Sequence, residues 1–168
     1  MPPLGPEIIG SLMDRHAAAL TLYARQWCLV PEDVVQEAFL QLFKQRTLPG
    51  NPAAWLYRVV RNSAISAARS EQRRQRRETA RAVAVTPWFE PNEETGLDAA
   101  AASAALQELP PEQREAIIAH LWGGLSFVEI GELLHTSASS AHRLYSAGLT
   151  ALRSLLGVPC PTHPTTRV

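Results

Sequence analysis

Lysine is almost missing from this chain: Lys44 stands alone among 16 basic residues, and every other base is arginine. Cysteine is as scarce. Cys28 and Cys160 cannot build a disulfide framework or a four-ligand metal site, and Cys160-x-x-His163 lacks the second ligand pair that zinc requires. No run approaches the roughly 18 consecutive apolar residues of a membrane span. The opening MPPLGPEIIG has neither the basic start nor the long apolar stretch of an export signal, so a cytoplasmic location is expected. There is no glycine-rich phosphate loop, no metal-ligand cluster and no nucleophile with a base at a known spacing. His16, His120, His135 and His142 are scattered along separate stretches. No catalytic residue, metal, cofactor, small-molecule substrate or membrane partner is therefore expected.

What is present is unevenly distributed. The formal net charge is 0, yet Lys44 to Arg81 holds ten bases against two acids, a net of +8. Ala82 to Glu132 holds one base against nine acids, a net of −8. A segregated basic block points to a polyanionic partner, and a zero total does not speak against one. Arginine's planar fork suits phosphate and guanine better than a point charge does, although the base composition of a genome would produce the same bias. At 168 residues the chain holds one domain or two small ones, each with a modest core.

The most organised stretch runs from Leu125 to Leu156 and predicts two helices around a tight turn. Ser126 and Glu129 have the spacing of a capping box, and Phe127, Ile130, Leu133 and Leu134 recur on one face. Gly131 sits inside that helix, where glycine costs roughly 1 kcal/mol against alanine; close approach of a second helix would explain it. His135-Thr136-Ser137 breaks the pattern, with Thr136 or Ser137 able to cap the next helix. That helix would bury Ala141, Tyr145, Gly148 and Leu152, with Leu144, Leu149 and Leu155 beside them. A helix-turn-helix places its second helix in a DNA major groove; an ordinary helical hairpin has the same pattern.

Upstream, residues 7 to 28 read as a first helix. Pro31, Glu32 and Asp33 open a second, whose core stripe is Val34, Val35, Ala38, Phe39, Leu42 and Phe43. Its opposite face carries Asp33, Gln36, Glu37 and Leu40, a leucine among acids and amides that suits a protein partner. After the breaker-rich Leu48 to Pro52, a long helix buries Trp55, Leu56, Val59, Val60, Ala64 and Ile65. Tyr57, Arg58, Arg61, Asn62 and Arg69 fall off that stripe. Arginines interleaved with aromatics suit single-stranded nucleic acid, although Trp55 also serves as a core anchor. The run Arg73-Arg74-Gln75-Arg76-Arg77 exceeds what a helix dipole needs and favours phosphate contact. Residues 82 to 101 read as a linker, with Trp88-Phe89 unusual inside it. Ile117, Ile118, Leu121 and Trp122 then form a core face ahead of Gly123-Gly124.

The chain resembles a bacterial sigma factor of the sigma-70 family, in the two-domain form of the extracytoplasmic-function (ECF) group. Three stretches carry the likeness. Glu32-Asp33-Val34-Val35-Gln36-Glu37-Ala38-Phe39 is similar to the family's D-L-V-Q-E helix, which docks on the clamp of RNA polymerase. Ala54 to Asn62, AWLYRVVRN, is similar to its W-L-x-x-x-A-R-N segment, used in melting the minus-ten element. Leu109-Pro110-Pro111-Glu112-Gln113-Arg114-Glu115 and Gly123 to Ile130 match the start of its minus-thirty-five-binding domain.

The resemblance implies an all-α fold of two small helical domains joined by a flexible linker, the second a helix-turn-helix, winged-helix-like in class but without a sheet. Residues 1–81 would be the polymerase- and minus-ten-binding domain, 82–101 the linker, 102–157 the minus-thirty-five domain and 158–168 a disordered tail. Asp33, Gln36, Glu37 and Leu40 would meet core RNA polymerase. Trp55, Tyr57, Arg58, Arg61, Asn62, Arg69, Arg73 and Arg74 would meet the melted minus-ten strand. Ser139, Ser140, His142, Arg143 and Ser146 would face duplex promoter DNA. An anti-sigma factor or other regulator is a further partner of such proteins. The alternatives are a helix-turn-helix regulator acting without polymerase and a protein-binding adaptor derived from a sigma factor. The chain departs from the family at Ser66, where an Asp is usual, and in its recognition helix. There the usual G-T-V-K-S-R-L-x-R-A-R becomes Ser139 to Leu149, SSAHRLYSAGL, and three bases are missing. Fewer phosphate contacts imply weak minus-thirty-five binding by the second domain alone.

Overall fold

Seven helices, and no strands, make up the described residues of a computed structural model, which are 5–45, 47–77 and 99–158. The expectations for Trp88-Phe89, for most of the linker and for all but the first residue of the tail lie outside them. The helices are α1 (Pro6–Ala24), α2 (Pro31–Phe43), α3 (Pro52–Arg77), α4 (Ala99–Glu108), α5 (Pro111–Leu121), α6 (Phe127–Leu133) and α7 (Ala138–Leu155).

Proline sets the start of four of them. Pro6, Pro31, Pro52 and Pro111 are each the first helical residue, where a missing N–H costs nothing and φ is already near the helical value. Glu7, Glu32, Asp33 and Glu112 add negative charge to the positive ends of three of these helices. Asn51 caps α3, its Oδ1 accepting from Ala54 N at 3.0 Å. The alanine run placed in the linker is instead largely α4, since alanine is the best helix former and Leu106 and Leu109 supply buried anchors.

Helices α1, α2 and α3 pack into one unit, and α4 to α7 into a second. Leu20, Leu22, Tyr23, Val35, Ala38, Phe39, Leu42, Leu56, Val60 and Ala64 fill the first. Ala116, Ile117, Ile118, Leu125, Ile130, Leu133 and Ala141 fill the second. The units also meet, α1 against α5 and α3 against α6, so their buried residues form one continuous apolar cluster.

Four expected core residues stand at the surface: Phe43 and Leu155 near helix ends, and Leu121 and Trp122 where α5 finishes. Each lies at or within one residue of a helix terminus. Tyr57 differs in the other direction. Its position off the apolar stripe of α3 suggests exposure, yet the ring is fully buried. The reason is α5 and the turn after it, which cover that face of α3.

Candidate functional site

Three surfaces hold the residues singled out in the sequence. The first is the outer face of α2. Val35, Ala38, Phe39 and Leu42 point inward, which turns Asp33, Gln36, Glu37 and Leu40 outward at helical spacing; all four are exposed, Leu40 by 47%. Beside them the α1–α2 connection exposes Leu29 and Val30 above a groove of about 500 Å³, closed on its far side by Ala67, Ala68 and Glu71 of α3. Acidic and amide groups ringing accessible leucines form a surface suited to another protein.

The second surface is α3. Asn62, Arg69, Arg73 and Arg74 are exposed, with Arg74 paired to Glu71 at 2.9 Å and Arg73 donating to Ser70 Oγ at 3.3 Å. Trp55 is half-buried against the core. Tyr57, Arg58 and Arg61, within about one turn of the same helix, face the second unit. Arg61 Nε donates to Glu115 Oε2 at 2.8 Å, and its Nη2 reaches Oε1 at 3.5 Å. The Glu115 carboxylate, only 3% exposed, also accepts from the Tyr23 hydroxyl at 2.9 Å. Burial works against the Arg61 charge, but the hydrogen bond and charge of Glu115 outweigh it and raise the guanidinium above its ordinary range. Burial, reinforced by the Glu115 charge, holds the Tyr23 phenol well above its usual value.

Around this centre lie looser contacts. Arg58 meets Glu132 at 3.7 Å with both side chains more than half exposed. Asn51 Nδ2 donates to Glu129 Oε1. Arg114 Nε donates to Gln26 Oε1 at 3.2 Å. The Tyr57 ring packs on Tyr23 with centroids 4.8 Å apart, and on its other side lies Gly123. A Cβ at Gly123 would fall 2.6 Å from the Tyr57 hydroxyl and 2.5 Å from the Ala119 carbonyl, so only glycine fits. Nothing in the sequence marked Tyr23 or Glu115 as a pair, since 92 residues separate them. The opposite charge of the two halves was the one available signal.

The third surface is the α6–turn–α7 unit. Ser126 Oγ accepts from Glu129 N at 3.3 Å while Glu129 Oε2 accepts from Ser126 N at 2.7 Å, the reciprocal capping box that the spacing predicts. At Gly131 a Cβ would lie 2.9 Å from the Thr136 carbonyl and 3.1 Å from Ala138 N, so glycine lets the turn fold back onto α6. His135 takes φ 56° to complete that turn, and Ser137 caps α7 by accepting from Ser140 N at 3.1 Å. Ser139, His142, Arg143 and Ser146 are exposed on α7; Ser140 is half-buried and accepts from Arg143 Nη2 at 2.9 Å. His142 meets the edge of Phe127, whose ring stacks on His120 at 4.5 Å. That aromatic cluster, which joins α5, α6 and α7, was not visible in the helical periodicity. No helix of the described residues is long and apolar enough to cross a membrane.

Comparison with known proteins gives two family matches in chain order. Residues 12–74 match sigma-70 region 2, and residues 99–152 match sigma-70 region 4. The ECF RNA polymerase sigma factor SigJ of Mycobacterium tuberculosis is 33% identical over 150 residues, covering 79% of this chain and 46% of that protein. SigE of Mycolicibacterium smegmatis is 31% identical over 134 residues, covering 74% and 51%. The chain thus spans about half the length of these two relatives. RNA polymerase sigma factor CarQ of Myxococcus xanthus is 33% identical over 141 residues, covering 75% of this chain and 74% of CarQ. The fold is that of sigma factor RpoE in its complex with the anti-sigma factor NepR from Bartonella quintana, at TM-score 0.74, 23% identity and coverage of 93% of this chain and 100% of that one. CnrH in complex with the cytosolic domain of CnrY is similar at TM-score 0.59 and 21% identity, over 94% and 92%.

Proposed function

Since this chain belongs to the sigma-70 family and resembles its ECF members, we propose that it binds core RNA polymerase and directs promoter recognition, melting and transcription initiation. Its part is binding and positioning, with no catalytic step of its own. The observation that carries the reading is the α2 face: Asp33, Gln36, Glu37 and Leu40 are all exposed on a helix whose other side is core.

In this reading α1 to α3 hold the polymerase and the minus-ten strand. Melting requires a base to leave the stack at a cost of a few kcal/mol, which arginine–phosphate contacts and aromatic stacking offset. Arg58, Arg61, Asn62, Arg69, Arg73 and Arg74 would hold the strand backbone, with Trp55 and Tyr57 at the melted bases. The α4–α7 unit reads the minus-thirty-five element through Ser139, Ser140, His142, Arg143 and Ser146. A regulator of the anti-sigma kind is a further proposed partner, by analogy with the complexes of RpoE and CnrH.

The test is co-elution of the full chain with bacterial core RNA polymerase. Wild type is expected to co-elute and to support initiation from a promoter selected with it, while Glu37→Arg reverses a charge at the centre of the α2 face and loses both. Failure of wild type to bind core polymerase would refute the reading.

A further inference from the structure

We propose that the depression between the first turns of α6 and α7 receives the 5-methyl group of a thymine, so that duplex DNA is read there by apolar contact. Resting on the reading that α7 faces the duplex, this adds Phe127 and Ala138 to the residues that meet it.

The depression opens on the outer surface of the α6–turn–α7 unit. Its apolar floor is Phe127 and Ala138, each the first residue of its helix and each half-buried. Ser139, His142 and Arg143, all exposed, complete the lining. These three already belong to the proposed duplex face, so the apolar floor lies inside that face. Phe127 is held there by rings from two other helices. His120 of α5 stacks on it with centroids 4.5 Å apart and planes 20° from parallel. Tyr145 and His142 of α7 meet it at 5.4 Å and 4.9 Å. His120 is itself tied to the chain: its Nδ1 lies 2.8 Å from the Leu125 carbonyl, which can only accept, so that nitrogen carries the proton. On the rim, Arg143 Nη2 donates to Ser140 Oγ at 2.9 Å. The surface is thus formed before DNA arrives, and contact with it requires little side-chain ordering.

The chemistry of the lining selects the base. In the major groove of B-form DNA the 5-methyl of thymine is the apolar group that the base edges present. The same pair shows thymine O4 and adenine N7 as acceptors beside it. An apolar floor edged by a hydroxyl and a guanidinium therefore has its complement in a T·A pair. A G·C pair offers nothing to the floor, and a phosphate would suit Arg143 alone. RNA carries uracil without the methyl, and its A-form major groove is too narrow for side chains to read. Arg143 is also the only base in the exposed N-terminal half of α7, so recognition by this helix falls on base edges more than on phosphates.

The experiment uses the full chain with core RNA polymerase. A duplex is selected by this complex from a randomised pool, and each of its thymines is then replaced singly by deoxyuridine, which removes only the methyl. Relative affinity is read by competition. One thymine in the minus-thirty-five element is expected to lose about fourfold, the effect of one buried CH2 group. Phe127→Ala and Ala138→Ser are expected to bind thymine and deoxyuridine equally at that position, with thermal melting to establish that each is folded. Ala138→Ser alters the floor alone and decides the matter if Phe127→Ala does not fold. Val128→Ser, at an exposed neighbour outside the depression, is expected to keep the fourfold difference. Deoxyuridine without effect at every thymine would overturn the proposal and leave the depression to a protein side chain. The same fourfold loss in the folded floor variants would also overturn it. If core polymerase does not retain the chain, the sigma reading fails, and the same selection and scan with the chain by itself decides the thymine contact. Failure to select any duplex in either format overturns the duplex reading of α7 and the thymine contact together.

Discussion

Tyr57 brings a ring and a hydroxyl into a space that has a partner only for the ring. Burial lifts the phenol well above its usual range, and the hydroxyl makes no hydrogen bond among the described residues. Replacing it should cost nothing: Tyr57→Phe is expected to leave Tm unchanged or raise it, since an unpaired buried hydroxyl is a desolvation cost of roughly 1–3 kcal/mol. Gly123→Ala is the opposite case. Its methyl would press on Tyr57 and on the Ala119 carbonyl, and a loss of about 1–3 kcal/mol is expected, read as a lower midpoint in urea. Tyr23 adds a pH dependence. Its folded phenol holds the proton more tightly than the unfolded one, so stability is full below the unfolded value and falls as pH rises past it. Melting between about pH 8 and 11 should therefore steepen in wild type and flatten in Tyr23→Phe. None of this is written in local sequence. The period of α3 assigns Tyr57 to the outside, because a helical period registers one neighbour and Tyr57 has two, its own core and the second unit.

Elements, by contrast, were largely legible where the chemistry is local. The capping box at Ser126 and Glu129, the serine cap of α7, the proline that starts α2 and the close approach at Gly131 all follow from residues within a turn of one another. What escaped was α4, whose alanine run lacks the apolar-polar contrast that periodicity detects, and the end of α1, which stops at Ala24 while Trp27 and Cys28 lie in the turn beyond. Helix α7, the proposed recognition element, carries its own prediction. Arg143 is the only base in its exposed N-terminal half, and Arg153 is ten residues further on, in the last turn. Each phosphate contact contributes a slope of about −0.9 to the dependence of log affinity on log salt, so duplex binding through α7 should show a slope no steeper than about −2. A slope several times larger in a salt titration would show that bases outside α7 hold the duplex.

For the whole molecule, the opposed charges of the two halves take on a second meaning. A block of net +8 suggests a polyanion from outside, and the following stretch of net −8 supplies one from within. Glu115, Glu129 and Glu132 all belong to that stretch, and their partners Arg58 and Arg61 to the basic one. Composition registers the imbalance but not the folding of one half against the other, which depends on contacts between residues 54 to 92 positions apart. The α2 face stands clear of the contact between the two halves, whereas Tyr57 and Arg61 of α3 lie inside it. A protein can therefore dock on α2 without disturbing that contact.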